Sequence, residues 1–155
     1  MKPLKNVGLL AFDRRKAIAD RMREIASDPE FAKMRFFVCK GYPAPVHPKI
    51  SVLPLKTFLK NIDVAVSLGG DGSFISAARL IRESKIPIVG VNMGTLGFLT
   101  EIPVSNSQEA LREMFSGKYV SERRMTFHVS LNRQDKRIHE DTCLNDVVIK
   151  GNKLI

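Results

Sequence analysis

The chain has 155 residues, of which 44% are hydrophobic and 26% charged. This composition indicates a globular domain with a core of its own, and it excludes collagen, coiled coils and intrinsic disorder. The formal net charge of +9 favours a phosphorylated small molecule, an anionic membrane surface or nucleic acid as a partner.

The distribution of charged and apolar residues narrows that choice. Residues 1–60 carry 13 basic and 5 acidic side chains, whereas residues 61–118 carry 5 and 6. The chain has no Trp and no ladder of aromatic residues among the basic ones, so we expect no nucleic-acid partner. The longest uncharged run, residues 86–100, is shorter than the roughly 20 residues of a membrane-spanning helix. The apolar stretch at 7–12 is too short for a signal peptide, so we expect a cytoplasmic protein without a membrane partner.

Apolar runs and helical periodicities alternate along the first hundred residues. In chain order they predict a strand at 7–12, a helix at 14–27, strands at 34–39 and 63–68, a helix at 74–83 and a strand at 88–92. After the second strand, Gly and Pro residues allow only short pieces of structure, near Ile50 and at 55–59. Continuously apolar strands separated by helices predict the α/β class, with a Rossmann-like doubly wound sheet.

The pattern changes in the last third of the chain. Residues 107–115 predict a helix, and residues 125–131 and 142–149 alternate as half-buried antiparallel strands on either side of the polar stretch 132–141. Two strands do not form a stable sheet with a core of its own. They would therefore pack on the first domain, pair with another subunit or belong to a larger domain.

Residues 69–73, Gly-Gly-Asp-Gly-Ser, lie between a predicted buried strand and a helix. In open α/β sheets ligands bind at the carboxyl ends of strands, and the free N–H groups at a helix start favour phosphate. The carboxylate of Asp71 adds a proton acceptor for an attacking hydroxyl group or a ligand for Mg²⁺, and both roles indicate phosphoryl transfer. The alternative is that Asp71 or Ser73 only caps the helix and the glycines only form the turn. The chain has neither a P-loop nor a dinucleotide fingerprint.

Two further segments combine ligand-binding residue types with close backbone approach. Residues 90–100 follow a predicted strand and contain glycines that allow a loop to lie against a ligand. Within that loop Phe98 either presents its ring to a base or fills the core. Asn145 and Asp146 lie in an otherwise apolar predicted strand, where they either bond locally or face a polar ligand such as a ribose.

The histidines and cysteines show no metal-binding or catalytic spacing. His47, His128 and His139 are far apart, and no Ser/His/Asp arrangement can be recognised. Cys39 and Cys143 form no C-x-x-C pair, so we expect each to be a buried thiol in a strand.

Taken together, the three segments resemble the NAD kinase family. Gly-Gly-Asp-Gly at 69–72, Asn-x-Gly-x-Leu-Gly-Phe-Leu at 92–99 and Leu-Asn-Asp-Val-Val-Ile at 144–149 match its pattern in order and spacing, over essentially the whole chain. The first motif alone also resembles lipid kinases of the diacylglycerol and sphingosine type and phosphofructokinases. Ser73 stands where the family usually has Thr, and Asp146 where Glu is at least as usual. Both departures keep the functional group.

The resemblance implies transfer of a phosphoryl group from ATP or polyphosphate to the 2′-hydroxyl of the adenosine ribose of NAD, which gives NADP. Asp71 would be the catalytic proton acceptor. The implied NAD-binding residues are Asp71, Gly72, Phe98, Asn145 and Asp146, and the implied phosphate-binding residues are Gly69, Gly70, Gly72 and Ser73. The implied cofactor is a divalent metal, Mg²⁺, with ATP as donor and no protein ligand assigned to the metal. The resemblance also implies a homo-oligomer, either a dimer or a tetramer.

We divide the chain into a nucleotide-binding α/β domain at 1–100 and a connecting helix with the first strands of a β-rich, NAD-binding domain at 101–155. Family members continue beyond the third motif into that β-rich domain, so we expect it to be truncated here. Two alternatives stay open: a catalytically incomplete nucleotide-binding fragment and a fragment of a lipid kinase.

Overall fold

The computed structural model describes residues 4–95 and 97–149, and the chain divides into two compact units, Met1–Ser121 and Glu122–Ile155. The helices are α1 (Lys16–Ser27), α2 (Leu55–Asn61), α3 (Asp71–Ile81) and α4 (Ser107–Phe115). The strands of the first unit are β1 (Asn6–Leu10), β2 (Arg35–Cys39), β3 (Ile50–Leu53), β4 (Val64–Gly69), β5 (Ile88–Asn92) and β6 (Ile102–Pro103). The second unit contains β7 (Phe127–Arg133) and β8 (Lys136–Cys143). Among the described helices, none is long and apolar enough to cross a bilayer.

The first unit is built on a parallel sheet with the strand order β3-β2-β1-β4-β5-β6. One face packs against α1 and α4, around Ile18, Met22 and Leu111, and the other packs against α2 and α3, around Phe58 and Ala77. Both faces of the central strands are therefore buried, which explains why β1 and β4 are apolar without alternation. This doubly wound α/β sheet confirms the predicted fold class.

The winding direction of the sheet changes at β1. The chain passes from β1 to β2 on one side and later returns to β4 on the other side of β1. The crevice at the carboxyl ends of the strands next to such a switch is where open α/β sheets bind ligands. Because β4 ends at Gly69, the Gly-Gly-Asp-Gly motif lies at this edge.

The start of α3 differs from the sequence-based prediction. The helix begins at Asp71, with Gly70 as its N-cap, three residues before the predicted start at 74. Its first turn contains glycine and serine, whose low helix propensity hides the true beginning of the helix. The short pieces of structure predicted near Ile50 and at 55–59 are confirmed as β3 and α2.

The second unit corrects the predicted strand boundaries. β7 and β8 pair antiparallel across a tight turn at Gln134 and Asp135, whose φ values of 48° and 59° are both positive. The polar stretch 132–141 therefore belongs mainly to the hairpin, and residues 144–149 of the predicted strand 142–149 lie beyond it. The alternation rule failed because it needs one buried face, whereas most side chains of this hairpin are exposed.

Candidate active site

The turn between β4 and α3 requires glycine at Gly69. This residue has φ of +156°, and a Cβ placed there would lie 2.2 Å from Oγ and 2.5 Å from Cβ of Ser73. The N–H groups of Ser73 and Phe74 donate to the carbonyl of Gly70 at 3.0 and 3.1 Å, which closes the first turn of α3. The glycine thus lets the chain reverse from strand to helix within one residue.

Gly70 and Gly72 have no comparable internal reason to be glycine. A Cβ at either position would meet no described atom within 4 Å, and neither residue has a positive φ. Gly94, in the loop after β5, is open in the same way. Packing within the described chain therefore does not explain these glycines, whereas close approach of a ligand to the backbone would.

The carboxylate of Asp71 joins the start of α3 to the end of the loop after β5. Its Oδ2 accepts the N–H of Phe98 at 2.8 Å. Its Oδ1 accepts the N–H of Leu99 at 3.0 Å and both the N–H and the hydroxyl of Thr100 at 3.1 Å. Asp71 is therefore more than a helix cap, because it fixes two loops that follow neighbouring parallel strands.

These hydrogen bonds also set the protonation state of Asp71. Desolvation raises its pKa, but the bonds from Leu99, Phe98 and Thr100 outweigh that effect and hold the pKa below the ordinary value of an aspartate. The side chain is consequently ionised at neutral pH. It can accept hydrogen bonds there and cannot donate one.

Two buried polar residues, Asn92 and Thr100, fix the loop after β5 beside Asp71. The Nδ2 of Asn92 donates to Oγ1 of Thr100 at 2.9 Å and to the carbonyl of Thr95 at 2.8 Å, while its Oδ1 accepts the N–H of Gly94 at 2.8 Å. Asn92 is 2% exposed and Thr100 0%. Because the Thr100 oxygen accepts from Asn92, its own proton is directed to Asp71. Sequence reasoning missed Thr100, since it only ends a long uncharged run.

Phe98 is 93% exposed. The structure therefore contradicts the alternative that Phe98 fills the core. Its backbone N–H donates to Asp71 while its side chain is exposed to solvent. An exposed ring in this position is available to a planar ligand.

Asn145 and Asp146 lie in the second unit, beyond the end of β8, and both are exposed. The prediction that they occupy a buried strand was wrong, because β8 ends at Cys143 and both residues are exposed beyond it. A ligand-facing role stays a prediction.

The described residues bring together no group of three or more His, Cys, Asp or Glu side chains able to hold a metal ion. Both cysteines are free, with Cys39 buried in β2 as predicted and Cys143 half-buried at the end of β8. A divalent ion that is bound through phosphate groups would need few ligands from the protein.

The segment that contains β4, α3 and the loop after β5 matches a known protein family. The family model of the ATP-NAD kinase N-terminal domain matches residues 11–119. The chain belongs to the NAD kinase family. The matched residues include Asp71 and the entire network of Asn92 and Thr100.

Curated NAD kinases are similar over parts of their length. The chain is 41% identical to NAD kinase of Marinomonas sp. (strain MWYL1) over 105 residues, covering 68% of this chain and 36% of that protein. For the Geobacter sulfurreducens enzyme the identity is 49% over 92 residues, covering 59% and 32%. For the Laribacter hongkongensis enzyme it is 28% over 146 residues, covering 94% and 50%. The chain thus spans between about a third and a half of these relatives.

A solved structure shows the same fold. The crystal structure of yeast NADH kinase complexed with NADH matches with a TM-score of 0.71 at 20% identity, covering 92% of this chain and 46% of that one. This likeness supports the α/β architecture described above.

Proposed function

We propose that this chain carries the catalytic carboxylate of an NAD kinase. It would transfer a phosphoryl group from ATP or polyphosphate to the 2′-hydroxyl of the adenosine ribose of NAD and form NADP. The observation that carries the proposal is the ionised carboxylate of Asp71, held by four hydrogen bonds at the ligand-binding edge of the sheet beside glycines that face open space.

The two carboxylate oxygens of Asp71 differ in their remaining capacity to accept hydrogen bonds. Oδ1 already accepts three hydrogen bonds, whereas Oδ2 accepts one, from Phe98. A carboxylate oxygen has about two lone-pair directions. We therefore assign Oδ2 as the atom that accepts the hydrogen bond, and later the proton, of the ribose hydroxyl.

A late proton transfer suits this carboxylate. A ribose hydroxyl is a far weaker acid than a carboxylic acid, so Asp71 does not remove the proton in advance. In a loose phosphoryl-transfer transition state the proton leaves only as the new bond to phosphorus forms, and orientation of the hydroxyl lowers most of the barrier. The four hydrogen bonds that fix the Asp71 carboxylate would provide that orientation.

The remaining ligand contacts follow the motifs. We propose that Phe98 contacts adenosine and that Asn145 and Asp146 bind NAD with Gly72. We propose that Gly69, Gly70 and Ser73 approach the donor phosphates. Mg²⁺, bound by those phosphates, would neutralise their charge. Cytoplasmic location and a homo-oligomeric assembly stay predictions.

One alternative has support from the comparisons. The chain spans a third to a half of these relatives, and nucleotide binding without completion of the reaction is the second candidate function. The family assignment decides against a lipid kinase.

The test is formation of NADP from NAD, or of NADPH from NADH, by the 155-residue chain with Mg²⁺ and either ATP or polyphosphate, with Asp71→Asn as control. Turnover that disappears in Asp71→Asn supports the kinase. A folded chain that binds NAD but forms no NADP supports the incomplete module. A folded chain that neither binds NAD nor forms NADP contradicts both.

A further inference from the structure

The edge of the parallel sheet at β3 has no strand on its outer side among the described residues. The carbonyl of Leu53 accepts the N–H of Lys40 at 2.7 Å, so Leu53 directs its backbone polar groups toward β2. Because successive residues of a strand direct these groups to opposite sides, the N–H and the carbonyl of Val52 point away from the sheet. An outward pair of this kind can bond a further strand.

The segment that forms this edge carries only positive charge. Residues 31–62, which include β2, β3 and α2, contain six Lys and Arg residues and no Asp or Glu. Lys49 directly precedes β3, and Lys56 and Lys60 lie one turn apart on α2. These three side chains are exposed and have no hydrogen-bond or ion-pair partner among the residues that the structure describes. The edge therefore attracts an acidic chain.

The two faces of this edge differ in chemistry. Ile50 packs with the core cluster of α1 and α4, whereas Leu53 packs with the cluster of α2 and α3. Alternation along β3 places Val52 on the same face as Ile50, where its side chain is 52% exposed. The other face is the one on which α2 packs, with Lys56 and Lys60. The edge is therefore apolar on one face and basic on the other.

We propose that this edge binds an extended segment of another protein in which acidic and apolar residues alternate. The segment would add to the sheet as a further strand, bonded to the outward N–H and carbonyl of Val52. Its carboxylates would lie toward Lys56 and Lys60, and its apolar side chains would lie beside Val52. Nucleic acid and lipid bilayers have no backbone N–H and carbonyl groups in strand spacing, so a peptide matches more of this edge. Because β2 and β1 separate β3 from β4, binding here does not depend on the kinase reaction.

The experiment measures the fluorescence anisotropy of a labelled short peptide that alternates Glu and Val, titrated with the chain. One control peptide has Gln in place of every Glu, which removes the charge. A second control peptide is methylated at alternate backbone nitrogens, which removes the N–H groups along one side of an extended chain. A single-stranded oligonucleotide and vesicles that contain phosphatidylserine are titrated in parallel.

Two changes in the protein separate the charge from the backbone contact. Lys56→Gln combined with Lys60→Gln removes two charges. Lys85→Gln combined with Lys118→Gln is the matched control, since both of these lysines are exposed and lie outside residues 31–62. Val52→Pro removes only the outward N–H, a position at which a sheet edge tolerates proline. Circular dichroism confirms that each variant is folded, and the methylated peptide tests the same contact if Val52→Pro does not fold.

We expect the affinity for the Glu-Val peptide to fall by about threefold to tenfold in the variant without Lys56 and Lys60, and by a similar factor in Val52→Pro. The variant without Lys85 and Lys118 should bind as tightly as the unchanged chain. Absence of peptide binding, or equal losses in the two lysine variants, would overturn the proposal. Equal affinities of the methylated and unmethylated peptides would exclude strand addition. Tighter binding of the oligonucleotide or the vesicles than of the peptide would assign the edge to those partners and contradict the proposal.

Discussion

A side chain at Gly97 would collide with the carboxylate of Asp71. A Cβ placed on Gly97 would lie 2.1 Å from Oδ1 and 2.5 Å from Cγ of Asp71. The missing side chain lets the loop come close enough for the N–H groups of Phe98 and Leu99 to reach that carboxylate. The carboxylate of Asp71, in the Gly-Gly-Asp-Gly motif, therefore explains why the second motif has glycine at position 97.

Gly97→Ala should displace the Asp71 carboxylate and weaken its hydrogen bonds. The pKa of Asp71 should then rise toward the ordinary value, because those bonds are what lower it. A misplacement of about 1 Å can cost about 100-fold in rate, so we expect a loss of that order in NADP formation. Carboxyl NMR titration gives the pKa, and NADP formation gives the rate.

The control for this change is Gly94→Ala, where a Cβ meets nothing within 4 Å. It should leave the pKa of Asp71 where it is. An Asp71 pKa that stays as low in Gly97→Ala as in the unchanged chain would contradict the steric argument.

Thr100→Val should lower NADP formation while leaving the fold intact, because valine keeps the shape of Thr100 and loses its hydroxyl, which donates to Asp71 and accepts from Asn92. A hydrogen bond to a charged group contributes about 1.5–3 kcal/mol, so we expect roughly a tenfold or greater loss of kcat. Thr100→Ser, which keeps the hydroxyl, should restore most of the rate. Equal rates in the serine and valine variants would show that the hydroxyl does not position Asp71.

Two glycines of the same turn should respond in opposite ways to alanine. Gly69→Ala should destabilise the first unit, because its Cβ would overlap the side chain of Ser73. Gly72→Ala should stabilise α3 by up to about 1 kcal/mol, since alanine has a higher helix propensity than glycine. The same alanine should weaken nucleotide binding by occupying the open space. Thermal unfolding measures the effect on stability, and calorimetric titration measures the effect on nucleotide binding. If Gly72→Ala binds the nucleotide as tightly as the unchanged chain, Gly72 does not lie against the ligand.

Asp28 should make folding sensitive to acid. It is 5% exposed and accepts bonds from the N–H of Glu30 and from the side chains of Gln108 and Arg112. Desolvation raises its pKa, but the bonds from Gln108, Glu30 and Arg112 bring the pKa below the ordinary 3.8. Because the pKa of Asp28 is lower in the folded state, its ionised carboxylate stabilises the fold at pH values above the ordinary pKa. This stabilisation is lost as the pH falls through the pKa of the folded state.

Asp28→Asn should therefore lower the free energy of unfolding by about 1–3 kcal/mol at neutral pH, with a smaller difference below about pH 4. Urea unfolding at pH 7 and at pH 3 measures both values. A difference that stays constant with pH would mean that the charge of Asp28 does not stabilise the fold.

Much of the first unit is predictable from local patterns. The strands β1, β4 and β5 appear as continuous apolar runs, since burial on both faces removes alternation. The helix face of Ile18 and Met22 follows from spacing alone. The same rules misplaced the boundaries of the hairpin in the second unit, because alternation marks a strand only where one face is buried, and most side chains of this hairpin are exposed.

The sequence by itself determined the α/β class and the position of Asp71 at the end of a buried strand. It did not determine what Asp71 touches. The hydrogen bonds between Asp71 and residues 98–100 form because β4 and β5 are neighbouring parallel strands whose carboxyl ends lie at the same edge of the sheet. Local patterns report which side of an element is buried, whereas partners from distant parts of the chain are chosen by strand order, and strand order is a property of the whole sheet.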